Sequence, residues 1–109
     1  MTVIELYDMV EEYYGYKIQM RGLDSKKQEV KGVLYESFIL KCNIDDRYGR
    51  FGGAIELREG CVISRFLGKE CSLNGDPQSI KNSLAIMDEY CRMRLPDKFL
   101  EAYEKAYKH

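Results

Sequence analysis

The chain has 109 residues, of which 45% are hydrophobic and 32% charged, and its formal net charge is −1. This length fits a single domain over residues 1–109, and this composition favours a folded core over disorder. Proteins that bind nucleic acid along much of their surface usually carry a large excess of basic residues, and the small net charge of this chain excludes such an excess. Because no apolar run reaches about 18 residues and the acidic start does not look like a signal peptide, we expect a cytoplasmic protein that does not bind membranes.

Residues of the standard active sites are scarce. The only histidine is the terminal His109, and the four cysteines, Cys42, Cys61, Cys71 and Cys91, are widely spaced. Zinc ligands usually come in close sequence pairs, and nothing marks export, so we predict reduced, mostly buried thiols and no metal or other cofactor. The glycine-rich motifs that cradle phosphates are also absent. The sequence therefore predicts a protein that is not an enzyme.

Both termini are predicted to be helical. Thr2 and Glu5 form a T-x-x-E capping box, and apolar residues then recur every three or four positions up to Gly15, which is placed to end the helix. Near the other terminus, Asp76 followed by proline begins a long helix that runs to about Arg94. Pro96 breaks that helix, and a second apolar stripe follows it.

The middle of the chain shows the alternation of β-strands. Residues 29–37 also fit a helical face, but we favour a strand because Gly32 and two valines are poor helix formers and no turn residue separates Glu29 to Ser37 from the next strand. The predicted fold is α+β, with an N-terminal helix, a four-stranded antiparallel meander and two C-terminal helices packed on one face of the sheet. The clearest strands are at 16–21, 38–44, 54–57 and 61–66. Turns are predicted at 22–28, 46–49 and 58–60.

One catalytic hypothesis stays open, a metal-dependent phosphodiesterase. Asp45 or Asp46 and Glu56 supply oxygen ligands in that hypothesis, and Arg58 or Lys69 steadies the phosphate. Paired aspartates before a turn are also common turn formers, and a glutamate on an antiparallel strand usually faces solvent. We favour this structural interpretation.

The segment R-Y-G-R-F-G-G-A-I-E-L, residues 47–57, mixes cations, rings and glycines. It resembles the RNP1 strand of RNA recognition motifs at Arg50, Gly53 and Ile55, but Gly52 and Ala54 stand where the stacking aromatics belong. Arginine and aromatic residues on a short loop are also typical of protein interface anchors, which is the interpretation that we prefer. The predicted partner-binding residues are Arg47, Tyr48, Arg50, Phe51, Arg65 and Lys69.

Nine tyrosines without a tryptophan are unusual for this length. Tyr13, Tyr14 and Tyr16 flank a glycine, and such a cluster offers a large contact area with little entropy to lose. The same rings are equally suited to the core, with only their hydroxyl groups in water. The sequence leaves both roles open.

Small size, near-neutral charge, many tyrosines and a basic aromatic loop together resemble the small anti-CRISPR proteins of phages and other mobile genetic elements, especially inhibitors of Cas9. The resemblance implies stoichiometric binding to the nuclease or its guide-RNA complex, which blocks guide-RNA or DNA engagement. We therefore predict a non-enzymatic inhibitor or adaptor that binds a protein partner. The alternatives are a metal-dependent nuclease acting on RNA or DNA and a self-associating structural domain, for example a homodimer.

Overall fold

Helices lie at both ends of the chain and strands in the middle. The computed structural model describes residues 1–58 and 60–108, so Glu59 of the predicted 58–60 turn and His109 lie outside the described residues. The predicted α+β layout is confirmed. The elements are α1 (Val3–Tyr14), a 3-10 turn (Gly15–Lys17), β1 (Ile18–Asp24), β2 (Glu29–Leu34), β3 (Phe38–Asp45), β4 (Arg50–Arg58), β5 (Cys61–Ile63), β6 (Arg65–Phe66), β7 (Lys69–Glu70), α2 (Pro77–Arg94) and α3 (Asp97–Tyr107).

The sheet is an antiparallel meander in the order β1-β2-β3-β4-β5, one strand more than predicted. The extra strand arises because the chain reverses at Tyr35 and Glu36, whose φ angles are 53° and 55°. Two consecutive residues with positive φ suit a tight hairpin turn, which usually carries glycine or asparagine. The predicted strand at 61–66 is also divided, since β6 leaves the sheet and pairs with β7 in a separate hairpin.

The helix boundaries follow the predicted capping residues. The Glu5 amide donates to Thr2 Oγ1 at 3.1 Å and the Thr2 amide to Glu5 Oε1 at 3.2 Å, which completes the capping box. The Asp76 carboxylate accepts the Ser79 amide at 3.0 Å at the start of α2. These bonds satisfy amides that the first helical turn leaves free. None of the helices in the described part of the chain is long and apolar enough to cross a membrane.

One face of the sheet carries the core, and α1 and α2 lie across it. Alternate side chains of β2, β3 and β4 point into this face, and Tyr14 joins the two helices through its hydroxyl, which donates to the Leu84 carbonyl at 2.7 Å. On the other sheet face, the side chains of Lys31 and Asn43 are exposed and that of Lys41 is half-buried. The sheet residues buried in the core include Val30, Leu34, Leu40, Cys42, Phe51 and Ile55.

Much of the tyrosine excess has a structural use. The Tyr103 hydroxyl of α3 donates to the Tyr16 carbonyl at 2.7 Å, and the Tyr107 hydroxyl donates to Glu36 in the β2–β3 turn. Tyr14 is buried and Tyr16 is half-buried, so of the predicted tyrosine cluster only Tyr13, which is 41% exposed, presents its ring to solvent. Tyrosine rings and hydroxyl groups therefore fasten α3 to one end of the sheet.

Candidate functional site

The β3–β4 loop, residues 46–49, presents an exposed aromatic ring. Tyr48 is 67% exposed. The guanidinium carbons of Arg47 and Arg50 lie 5.6 Å and 5.7 Å from the centroid of this ring. Both distances are within cation–π range, so the two arginines hold the ring at the surface in a defined position. Three of the predicted partner-binding residues are thus brought together.

Backbone hydrogen bonds fix this loop on both sides. On one side, the Tyr48 amide donates to the Asp45 carbonyl at 3.2 Å. On the other side, the Gly75 amide donates to the Gly49 carbonyl at 2.7 Å and the Phe51 amide to the Leu73 carbonyl at 2.9 Å. Gly49 has a φ of 58°, a conformation that glycine adopts readily. Because its backbone is held from both sides, the loop has little freedom left to lose on binding.

The β1–β2 turn adds two lysines to the same end of the sheet. Lys26 and Lys27 line a cleft of about 480 Å³ together with Arg47 and the two aspartates of the predicted metal site. The Lys26 and Lys27 amides both donate to Asp24 Oδ1, which fixes the turn. We call Lys26, Lys27, Arg47, Tyr48 and Arg50 the basic end.

The acidic groups of this cleft are already engaged. Asp46 lies 3.3 Å from the Met1 amine, and Asp45 Oδ1 accepts both from the Arg47 amide and, at 3.5 Å, from its guanidinium Nε. Exposed ion pairs of this kind add little stability, but they neutralise the two carboxylates locally. The lysine ammonium groups and the Arg50 guanidinium therefore set the charge that a partner meets.

The other predicted partner-binding residues lie outside the basic end, and two of them, Phe51 and Arg65, line a separate cleft of about 350 Å³. Phe51 is only 2% exposed and points into the core, so its prediction as a contact is wrong. Neighbouring strand residues point to opposite faces, which places Arg50 outside and Phe51 inside. Arg65 and Lys69 lie on the β6–β7 hairpin, where they pair with Glu70 at 2.6 Å and Glu89 at 3.4 Å.

The predicted metal ligands do not converge. Asp45 faces Arg50 across β3 and β4, whereas Glu56 faces Ile39, six positions along the strand or about 20 Å away. Glu56 is also paired with Lys41 at 2.9 Å. Residues 1–58 and 60–108 contain no group of three side chains of the metal-binding types that could hold an ion. The hypothesis that Glu56 shares a metal with Asp45 or Asp46 is therefore wrong.

The RNP1-like strand lacks the rings that contact RNA. Gly52 and Ala54 face Asn43 and Lys41 on the sheet face opposite the core, which is where stacking aromatics would be needed. This face is accessible, but these two positions have no aromatic side chain to stack on a base. The meander order of the strands also differs from that of an RNA recognition motif. The likeness therefore does not extend to its binding surface.

Three of the cysteines, the buried Cys42 and Cys91 and the half-buried Cys71, are poor nucleophiles. Burial raises the pKa of Cys42 and Cys71, and it raises the pKa of Cys91 to about 12. These thiols stay protonated at neutral pH, whereas nucleophilic catalysis requires the thiolate. All four cysteines are free thiols.

Comparison with known proteins finds no matching family profile, no matching curated protein and no matching solved structure.

Proposed function

We propose that this protein is a non-enzymatic inhibitor or adaptor that acts in the cytoplasm by covering a surface of a protein partner with its basic end. One observation carries the proposal: Tyr48 is an exposed ring held by Arg47 and Arg50 on a loop whose backbone is already fixed. Tyrosine and arginine are enriched among the residues that dominate binding energy, and a fixed loop loses little entropy on binding.

The charge of the basic end suggests what the partner presents. Lys26, Lys27 and Arg50 favour an acidic surface, and such charges raise the rate of association as well as the specificity. The Tyr48 ring then needs a recess to bury it. Because of the resemblance to anti-CRISPR proteins, Cas9, alone or with its guide RNA, is the first partner to test. Binding there blocks guide-RNA loading or DNA engagement.

The test measures binding and inhibition with the same variants. Immobilised protein is exposed to purified Cas9 nucleases with and without guide RNA, and DNA cleavage is assayed in parallel. Tyr48→Ala weakens binding by about 2 kcal/mol, roughly 30-fold, because truncation of a central anchor has this size of effect. Arg58→Ala is the matched control, since Arg58 lies at the far end of β4, eight positions or about 26 Å from Arg50.

Equal affinity of the Tyr48→Ala and wild-type proteins for a bound partner would refute the role of the basic end. Failure to bind any Cas9 would remove this nuclease as the target.

The two alternative functions, a nuclease and a self-associating domain, have their own readouts. Cleavage of RNA or DNA by the protein with magnesium or manganese supports a nuclease, and a dimer in light scattering supports a self-associating domain.

A further inference from the structure

A groove of about 640 Å³ lies between α1 and the start of α2. Met1, Met9 and Tyr13 give it a mainly apolar floor, and Pro77 closes it at the α2 end. Methionine side chains are unbranched and polarisable, so they adapt to different apolar surfaces. The groove therefore offers an apolar surface that is adaptable in shape.

The α1 rim of this groove is acidic. Glu5, Asp8 and Glu12 line it at spacings of three and four residues, which places them along one side of the helix. None of the three takes part in an ion pair among the described residues. The sequence of α1 contains no lysine or arginine, and Lys81 of α2 is the one cationic side chain among the described residues of the groove lining. The Met1 ammonium also belongs to the lining, but it is paired with Asp46 of the β3–β4 loop. Three carboxylates without an ion-pair partner among the described residues thus face one lysine side chain.

Shape and charge together select the occupant. A groove between two helices accepts the side-chain ridge of a third helix, and apolar anchors spaced three or four residues apart fit such a groove. The carboxylate rim repels nucleic acid and anionic lipid, and it attracts lysine and arginine. We infer that the α1–α2 groove binds a basic amphipathic helical segment of a protein partner, with apolar side chains on the methionines and cations on the rim. This inference goes beyond the proposed role of the basic end and does not depend on it.

A model peptide tests the groove directly. The probe is a helical peptide of leucine and lysine, about 20 residues long because isolated helices shorter than about 15 residues are only marginally stable. Its counterpart of leucine and glutamate is the control. The readout is the methyl spectrum of the five methionines, which report on different places in the protein. Met1 and Met9 lie in the groove, whereas Met93 is 56% exposed elsewhere on α2. We expect the lysine peptide to shift Met1 and Met9 but not Met93, and the glutamate peptide to shift none of the three.

Isosteric charge removal provides the matched pair of variants. Glu12→Gln removes a rim carboxylate and weakens binding of the lysine peptide by about threefold, as expected for one exposed ion pair. Glu11→Gln makes the same change at the neighbouring α1 residue, which is outside the groove lining, and leaves the affinity unchanged. Raising the salt concentration weakens binding to the wild type.

Four outcomes overturn the inference: no shift at Met9 with millimolar lysine peptide, equal shifts with the glutamate peptide, equal shifts at Met93, or equal effects of the two glutamine variants. A dimer that covers Met9 without peptide also overturns it, because the occupant is then a second copy of the chain. Tyr48→Ala binds the peptide like the wild type, so failure of the groove is distinguishable from failure of the basic end.

Discussion

Gly75→Ala tests whether close backbone contact is what fixes the β3–β4 loop. A Cβ atom built at Gly75 lies 2.8 Å from the Gly49 carbonyl oxygen and 3.0 Å from its carbonyl carbon. Both atoms belong to the backbone of a turn, so relief requires the two segments to separate. That movement stretches the 2.7 Å bond from the Gly75 amide to the Gly49 carbonyl.

The expected cost combines these two effects. Overpacking against atoms that cannot rotate away costs about 1–3 kcal/mol, and a lost hydrogen bond costs about 0.5–1.5 kcal/mol. Replacing glycine by alanine also lowers the conformational entropy of the unfolded chain, which stabilises the folded state by about 0.4–1 kcal/mol where the backbone suits alanine. We therefore expect Gly75→Ala to lower the free energy of unfolding by about 2 kcal/mol.

Gly52→Ala is the matched control. A Cβ atom at Gly52 lies 2.5 Å from Asn43 Oδ1, but this atom ends a flexible, exposed side chain that can rotate away. The effect on the unfolded chain is the same in both variants, so their difference isolates the backbone contact. Urea unfolding at neutral pH measures both. A difference below about 0.5 kcal/mol would refute the reasoning, because the loop is then not held by this contact.

Three further predictions concern Tyr14, Asp88 and Cys91. Tyr14→Phe lowers the free energy of unfolding by about 1 kcal/mol in urea titrations, because the Leu84 carbonyl loses its side-chain donor; no loss would contradict a role for this bond. Asp88→Asn lowers the free energy of unfolding by about 2 kcal/mol in the same assay, since Asp88 accepts from Tyr35 and pairs with Lys17. The control is Glu89→Gln, which removes an exposed ion pair and lowers the free energy of unfolding by less than about 0.5 kcal/mol. Burial in the folded state raises the pKa of Cys91 from 9.0 to about 12. The contribution of this thiol to the free energy of unfolding is therefore fully present below pH 9, and it is lost as the pH rises towards 12. Under reducing conditions we expect this thiol to account for roughly 1 kcal/mol of the stability lost between pH 8 and 10, and Cys91→Ala to lack that part of the loss.

The local signals in the sequence were sufficient for the helices but not for every turn. The capping box at Thr2 and the Asp76–Pro77 pair predict where a helix begins, and the structure shows the corresponding capping hydrogen bonds. The turn at Tyr35 and Glu36 has no such mark. Its positive φ angles are held by tertiary contacts, namely the bonds from Tyr35 to Asp88 and from Tyr107 to Glu36. Contacts between residues more than fifty positions apart leave no local pattern.

The candidate site was predictable only in part for a related reason. Arg47, Tyr48 and Arg50 are neighbours in sequence and were predicted together, whereas Lys26 and Lys27 reach them only because two hairpins reverse at the same end of the sheet. The error at Phe51 came from the predicted start of the strand at 54. Once β4 begins at Arg50, alternation alone turns Phe51 into the core.

The basic end and the α1–α2 groove are neighbours, and this permits a test of whether one partner uses both. The Met1 side chain lines the groove while its amine contacts Asp46 of the β3–β4 loop. A partner with a basic helix beside an acidic surface then contacts both at once. In that case Tyr48→Ala and Glu12→Gln each weaken the same complex, and the losses in the double variant add, because the two side chains share no contact. Separate partners predict instead that each substitution affects only its own complex.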